Sequence, residues 1–500
     1  MRKLFIPILL LIGSVCGAQQ IQDISLFGLE QRTGTPRFQA MAGAFGALGA
    51  DFSSLAINPA GAAVFKHNQL GFSLSQHYTE NLTSFGNQNS LNDTRHLGFN
   101  QAGIVFVYEN KNINSPWKRL SLALNSDNSN FYKGAISANG STTNGLDQYF
   151  LDNADGIPFG DLLKLDNELL EEAYLNIGSE IGFAAQQAFL GYYAGVLDPF
   201  EMDNNSVSNY VSNALYNQAG QSHNIRAKGK NSKFVTTVAA QYMDFLYLGA
   251  GLEFQNIIYE KQTHIQESGY EAFSPLQYLN FNNFIETSGN ALALNVGAIT
   301  KVGNSLRLGL SYKTPTWYTL SDKTHQQIES NLEDVDIQFI DKNQINIFED
   351  YKIAIPSKIT ASAAVVLGKR GLISMDYSQQ DFSKARFRPL ADSFFTTLNQ
   401  SAARQLTMVN TLNIGGEYNL GRLSLRMGYG SNNSPFLAND SFSENQTLGF
   451  GWVFSGSKID FSFSQRNTTN SHTSLNYTGA PEMTLKTTRN TATIGYTLFF

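Results

Sequence analysis

The stretch Leu246-Tyr247-Leu248-Gly249-Ala250-Gly251-Leu252-Glu253-Phe254-Gln255 alternates without a break. Leu246, Leu248, Ala250, Leu252 and Phe254 fall on one side of an extended chain, and Tyr247, Gly249, Gly251, Glu253 and Gln255 on the other. Successive side chains of a strand point to opposite faces, so this period marks a strand with two unlike faces. The pattern recurs along the chain. Leu70, Phe72 and Leu74 alternate with Gly71, Ser73 and Ser75, and Leu120, Leu122 and Leu124 with Ser121, Ala123 and Asn125. Leu306, Leu308, Leu310 and Tyr312 oppose Arg307, Gly309, Ser311 and Lys313, and Leu448, Phe450, Trp452 and Phe454 oppose Thr447, Gly449, Gly451 and Val453. A soluble β-sandwich would alternate in the same way, so loop lengths and the chain end decide between the two.

Strands are expected near 69–79, 95–109, 117–127, 232–242, 245–260, 287–301, 304–317, 350–367, 370–385, 407–419, 421–431, 444–455, 457–467 and 488–500. The connections then alternate. Short ones fall at 110–116, Met243-Asp244, Val302-Gly303, Gly368-Lys369, Leu420 and Gly456, and long ones at 80–94, 128–231, 261–286, 318–349, 386–406, 432–443 and 468–487. Short turns at one end and long loops at the other are the asymmetry of an outer-membrane up-and-down barrel, and fourteen strands is an even count, as such barrels require. The chain ends on Ala492-Thr493-Ile494-Gly495-Tyr496-Thr497-Leu498-Phe499-Phe500, with Ala492, Ile494, Tyr496, Leu498 and Phe500 on one face. This pattern resembles the C-terminal signal read by the barrel assembly machinery. The fold class expected is all-β: a transmembrane antiparallel β-barrel of about 14 strands with an N-terminal plug.

Composition agrees. Of 500 residues only 15% are charged, against roughly a quarter in soluble domains. The formal net charge of −6 gives no reason to expect nucleic-acid binding. Phe 36 and Tyr 22 supply too much apolar surface for a disordered chain. The one sustained apolar run, Leu4 to Val15 behind Arg2 and Lys3, is too short to span a bilayer and reads as a secretory leader cut after Ala18. The sole cysteine, Cys16, then leaves with residues 1–18, and the mature chain has no disulfide to hold it.

Residues 19–68 precede the first strand and do not alternate. The Gly/Ala-rich run Ala40 to Ala50, Asp51, and Asn58-Pro59-Ala60-Gly61 read as a compact segment that fits inside a pore, with Asn-Pro favouring a turn. Gly43, Gly46 and Gly49 do not form a phosphate-binding loop, because no strand leads into them and no lysine follows. On these pieces, the strand count and the terminal aromatic, the chain resembles the FadL/TodX family of outer-membrane transporters for long-chain fatty acids and other hydrophobic compounds. Lys313-Thr314-Pro315-Thr316-Trp317-Tyr318 and Ile355-Pro356-Ser357-Lys358 look like segments of its Bacteroidetes branch. The resemblance implies an N-terminal hatch containing Asn58, Pro59, Ala60 and Gly61, passive transport through the barrel, and lateral release into the bilayer near strand three. FadL-like barrels also serve as interaction components of a protein secretion system, and the long 128–231 insertion keeps that alternative open.

Within 128–231, Leu162, Leu165, Leu169, Ala173 and Ile177 recur at helical spacing, so helices are expected over about 159–175 and 180–195. Phe183, Phe189, Tyr192 and Tyr193, with Phe281 and Phe284 of the 261–286 loop, are candidates for ligand contact. The lumen-side charges Glu253, Arg307, Lys358, Asp376, Glu417, Arg426 and Asp460 are expected to pair with one another and brace the plug. The seven histidines show no zinc-type spacing, and no catalytic elbow of the G-x-S-x-G type appears. No catalytic residue, metal site or cofactor is expected. The expected partners are the outer-membrane bilayer, a hydrophobic ligand and the assembly machinery, with the barrel a monomer.

Overall fold

In the computed structural model the described residues are 19–334, 337, 340, 344–368, 370–439 and 441–500. The leader read over 1–18, the turn residue Lys369 and the loop residue Asp440 lie outside them. The strands form one closed antiparallel barrel of 14 strands. They are β1 (Gln69–Phe85), β2 (Gln88–Glu109), β3 (Trp117–Phe131, continued as Gly134–Thr142), β4 (Ala219–Tyr242), β5 (Leu246–Ser268) and β6 (Tyr278–Val302). Then follow β7 (Leu306–Lys313 and Thr316–Ser330), β8 (Tyr351–Ile355 and Lys358–Leu367) and β9 (Gly371–Asp381, with Arg386–Arg388 beyond a turn). The circuit ends with β10 (Met408–Leu420), β11 (Leu423–Asn433), β12 (Phe442–Val453), β13 (Ser457–His472) and β14 (Met483–Phe499). β14 closes on β1 in unbroken register from Gln69↔Phe499 to Ser84↔Thr484. Closure leaves no edge strand in the membrane, where an unpaired N–H has no water to turn to.

The alternation sorts side chains as expected. Leu294, Val296, Leu310, Leu448 and Phe450 are exposed on the outer face, while Thr237, Ala293, Thr447 and Ser462 are buried on the inner one. A shallow groove of about 590 Å³ on the outer face of β4–β7, lined by residues such as Val238, Leu248, Val296 and Leu310, is apolar wall for lipid tails. The outward apolar band, with Tyr312, Trp317 and Trp452 toward its ends, is that of an outer-membrane barrel. No helix of the described residues is long and apolar enough to cross a membrane.

Several long connections are extended strand instead. The expected 80–94 loop is a hairpin that runs out to a turn at Gly86 and Asn87, with Gly86 at φ 55°. β6 is 25 residues long, more than twice the ~9–11 a membrane crossing takes. Above the bilayer the outer face of a strand meets water, so the run of lipid-facing apolar residues ends there, while inward residues such as Leu279, Phe281 and Ile328 pack in an apolar core. The outer end is closed by a cap built from residues 143–218 and neighbouring loops. Helices α3 (Asp147–Ala154), α4 (Leu170–Glu180) and α5 (Phe183–Tyr193) form its framework. The helix expected over 159–175 is instead a single turn at Phe159–Leu162 followed by α4, while α5 falls within the expected 180–195. Its core includes Phe150, Leu162, Tyr174, Phe189, Phe281 and Ile328. Glu267 at the end of β5 holds the cap down, accepting from the Leu146 N–H (2.8 Å) and the Tyr270 hydroxyl (2.6 Å).

Leu310→Arg, on the lipid-facing side of β7 between the short turn at its start and the interface Trp317, is expected to destabilise the folded barrel by ~2–4 kcal/mol, and Leu91→Arg, near the β1–β2 hairpin tip, by about 0–1 kcal/mol. Urea unfolding in lipid vesicles measures both.

Candidate functional site

Residues 19–68 lie inside the barrel. Helix α1 (Ile21–Gly28) buries Ile24 and Phe27 against the inner wall. The short helix α2 (Pro36–Ala40) starts with proline at its first position and is capped by Thr35, whose hydroxyl oxygen accepts from the Phe38 N–H (3.1 Å). The small residues that follow allow backbone to touch backbone. A Cβ on Gly309 would lie 2.3 Å from the Gly46 carbonyl oxygen, and one on Gly249 would lie 2.4 Å from the Pro59 carbonyl carbon. Asn58 supplies polar anchorage at this contact: its side-chain oxygen accepts from the Ala60 N–H (3.1 Å), and its amide donates to the carbonyls of Gly46 (2.7 Å) and Ala298 (3.1 Å). Pro59, Ala60 and Gly61 are buried, with Gly61 against Gly49 and its carbonyl accepting from the Ala50 N–H (3.0 Å).

Charges fix the other side of the segment. Arg37 pairs with Glu417 of β10 (2.9 Å), which also receives Arg426 of β11 (2.6 Å). Arg426 in turn reaches Asp460 of β13 (2.6 Å), which Lys458 also meets (2.8 Å). Asp376 of β9 accepts the N–H groups of Phe45 (3.0 Å) and Gly46 (2.9 Å), and Arg307 donates to the Leu48 carbonyl (3.1 Å). Glu417, Arg426 and Asp460 are thus paired with one another as expected, whereas Asp376 and Arg307 bind the backbone of the inner segment directly, and Glu253 pairs instead with Lys313.

Above this floor lies a cavity of about 110 Å³. Its lining combines Leu29, Phe38, Ile57 and Val409 with a concentration of cations: Arg32, Lys233, Lys313, Lys358 and Arg466. Glu30 bridges Lys313 (2.9 Å) and Lys233 (3.6 Å), and Lys313 also meets Glu253 (2.6 Å). Burial disfavours the Glu30 carboxylate, but these lysines hold it well below the usual carboxylate range. The other cations have no such partner. Arg32 donates to Asn413 (2.9 Å) and Arg466 to Ser443 (2.7 Å), and among the described residues no acid lies within ion-pair distance of Arg32, Arg466 or Lys358. Burial, with Arg466 nearby, pushes Arg32 down to about 9, so it remains a cation at neutral pH. The cavity therefore holds three cations outside any direct ion pair, Arg32, Lys358 and Arg466, next to an apolar wall, although Glu30, Asp127 and Asp376 also line it and Glu30 attracts Lys358 through space.

The β2–β3 ladder ends partway up. Pairing runs from Glu109↔Arg119 to Gln101↔Asp127 and stops, while β2 continues against β1 and β3 against β4. Side chains bridge the interval: the Asn128 amide donates to the Phe99 carbonyl (2.7 Å), and Asn100 and Thr33 bond to Gly34 and Asn128 carbonyls. His77, His96 and Phe131 stack beside it.

The aromatic candidates lie elsewhere. Phe189 and Phe281 are buried in the cap core, with Phe281 against Phe150 at 5.4 Å. Tyr192 and Tyr193 pack partly buried on the same core, and Phe183 is half-buried near Phe348. Phe284 is three positions from Phe281 along β6 and so faces the other side, stacked on His325 at 4.4 Å. None of these six side chains lines the cavity. Arg32 and Arg466, which do, had no signal beyond charge, whereas Lys313 and Lys358 were legible from their inward parity.

Glu417→Gln is expected to leave Arg37 and Arg426 sharing a neutral amide. Removing one partner of a buried pair typically costs ~3–5 kcal/mol, so the inner segment loosens while the wall stays intact. Planar-bilayer recording should show frequent large openings in the variant and few in the unaltered protein.

No family profile matches the chain, and no curated protein sequence does. Solved structures do resemble it. A Pseudomonas aeruginosa FadL homologue aligns with 11% identity over 95% of this chain and 100% of its own, with a TM-score of 0.56. The Pseudomonas putida toluene transporter TodX aligns with 12% identity over 94% of this chain and 99% of its own, with a TM-score of 0.50. A closed barrel of this strand number, filled by its own N-terminal segment, is thus the FadL-type outer-membrane barrel fold, and this chain has it.

Proposed function

We propose that the protein carries amphiphilic molecules with an anionic head and an apolar tail, long-chain fatty acids above all, passively across the outer membrane. The observation that carries this reading is the cavity's five cations against three acids, with Arg32, Lys358 and Arg466 outside any direct ion pair, set beside Leu29, Phe38, Ile57 and Val409. A plain hydrocarbon leaves those charges without a partner, whereas a carboxylate supplies one and its tail covers the apolar wall. The likeness in fold to a toluene transporter and a FadL homologue supports a hydrophobic cargo. The cavity of about 110 Å³ is smaller than the ~300–1,000 Å³ of common ligand sites, so a long tail needs the inner segment to shift. In this reading residues 19–68 are the hatch, with Asn58 to Gly61 as its anchored hinge. The cap aromatics Phe183, Tyr192 and Tyr193 form the outer landing surface, and cargo leaves sideways into the bilayer. The barrel acts as a monomer, and its terminal strand, ending at Phe500, is what the assembly machinery reads.

Titration calorimetry of the barrel in lipid nanodiscs tests the head-group assignment. Lys358→Met removes a charged hydrogen-bond donor worth ~1.5–3 kcal/mol. Oleate should then bind about 10–100-fold more weakly, with toluene binding unaltered. Equal loss for both ligands, or none for oleate, contradicts the assignment.

A further inference from the structure

The wall is interrupted a second time, between β7, β8 and β9. β7 breaks at Thr314-Pro315 and β8 at Pro356-Ser357, and the register is the same on both sides: Lys313↔Lys358 before the break and Thr316↔Ile355 after it. Pro315 therefore faces Pro356. Thr314 donates its N–H to the Leu294 carbonyl of β6 (2.9 Å), so the next backbone nitrogen, that of Pro315, points at β8. Two prolines meet where a pair of ladder hydrogen bonds belongs, and neither has an N–H to give. Proline inside a sheet is otherwise confined to edges and bulges. On the other side of β8, pairing with β9 stops at Lys358↔Gln380 and resumes at Ala354↔Arg386. Phe382–Lys384 loops out between them as a single 3-10 turn, and the Gln380 amide donates to the Pro356 carbonyl (2.8 Å) across the interval. Residues 356–357 thus lack a regular ladder to either neighbour, and Ile355 lacks one to β9.

Unpaired backbone at membrane depth is tolerated where protein covers it. Here the cover is α1. A Cβ on Gly28 would lie 3.0 Å from Ile355 Cγ2 and 2.8 Å from Phe382 Cε1. Around this contact Ile24, Phe27, Ile353, Phe382 and Phe387 form one apolar cluster. Gly28, Leu29, Lys358 and Gln380 also line the cavity, so cavity, helix and seam are contiguous. On the outer wall, exposed Tyr312, Trp317 and Tyr377 flank the break. Such aromatics mark the membrane interface. The β2–β3 interval carries more amide groups, Asn100, Asn128 and Asn130 beside His77, His96 and Phe131, whereas the seam's Lys358 and Gln380 face the cavity and can follow a head group to its mouth.

We infer that hydrophobic cargo leaves the cavity for the bilayer through the proline seam at β7–β9, uncovered when α1 moves. The inference rests on the transport reading above.

Paired cysteines test it, because the chain's one native cysteine is Cys16, in the segment read as the leader. Gly28→Cys with Ile355→Cys places a Sγ where Ile355 Cγ2 sits, within disulfide reach of residue 28. Asn100→Cys with Asn128→Cys ties β2 to β3. Uptake of radiolabelled oleate is measured in cells lacking another route, before and after oxidation, alongside oleate binding to the purified barrels. The oxidised α1–seam tether should abolish uptake, with dithiothreitol restoring it and the reduced variant binding oleate like the unaltered protein, and the oxidised β2–β3 tether should transport normally. Full uptake through the oxidised seam tether, or loss of uptake through the β2–β3 tether, overturns the inference. Phe382→Ala, which thins the cover without a cross-link, should speed uptake, and an unchanged rate counts against the seam as exit. Absence of both binding and uptake in the unaltered protein overturns the transport reading itself.

Discussion

In a hydrocarbon layer every backbone N–H must find a partner within the protein, and the rest of this structure follows from that constraint. It forces the sheet to close, which β14 does on β1 through a register without a slip. It also makes each break in the ladder significant. The wall has two extended breaks among the described residues, at β2–β3 and at β7–β9, and residues 19–68 stand behind both. Thr33 and Gly34 support the first with hydrogen bonds, and Gly28 supports the second by close packing. The same short segment therefore fills the lumen and backs the weak places of its wall.

How that segment stays in place explains its composition. A side chain larger than hydrogen at Gly249 or Gly309 would collide with Pro59 or Gly46, so close approach depends on glycine on the strands as much as on the inner chain. Charge completes the attachment through Arg37, Glu417, Arg426 and Asp460. Buried ion pairs of this kind contribute little net stability, because desolvation offsets most of the attraction, but breaking one leaves a charge stranded. They make the seated position of the segment well defined.

Much of the membrane-level fold was legible because lipid outside and small polar residues inside give every strand two unlike faces, as at Leu246 to Gln255. The legibility ended where that contrast ended. Residues 80–84 of β1 belong to a continuous strand but hold one apolar side chain, Leu82, with no apolar period, and so read as loop. The segment 159–175 carried a helical period, yet Asp161 to Leu169 turn before α4 begins, and tertiary packing of the cap decided the boundary. At the site, inward parity exposed Lys313 and Lys358, but their fates differ: one is paired directly with Glu30 and Glu253, the other feels Glu30 only through space. That difference depends on partners distant in sequence. The opposition of Pro315 and Pro356 was equally hidden, since each proline alone is ordinary and only the register makes them a pair.

The central claim is that the cationic cavity holds the head of an amphiphilic anion. Native mass spectrometry of the barrel extracted from its own outer membrane tests it most directly. The account predicts one acidic, long-chain molecule bound per barrel and released on denaturation. A barrel that carries only uncharged hydrocarbons, or that retains a protein partner and no small molecule, would contradict it.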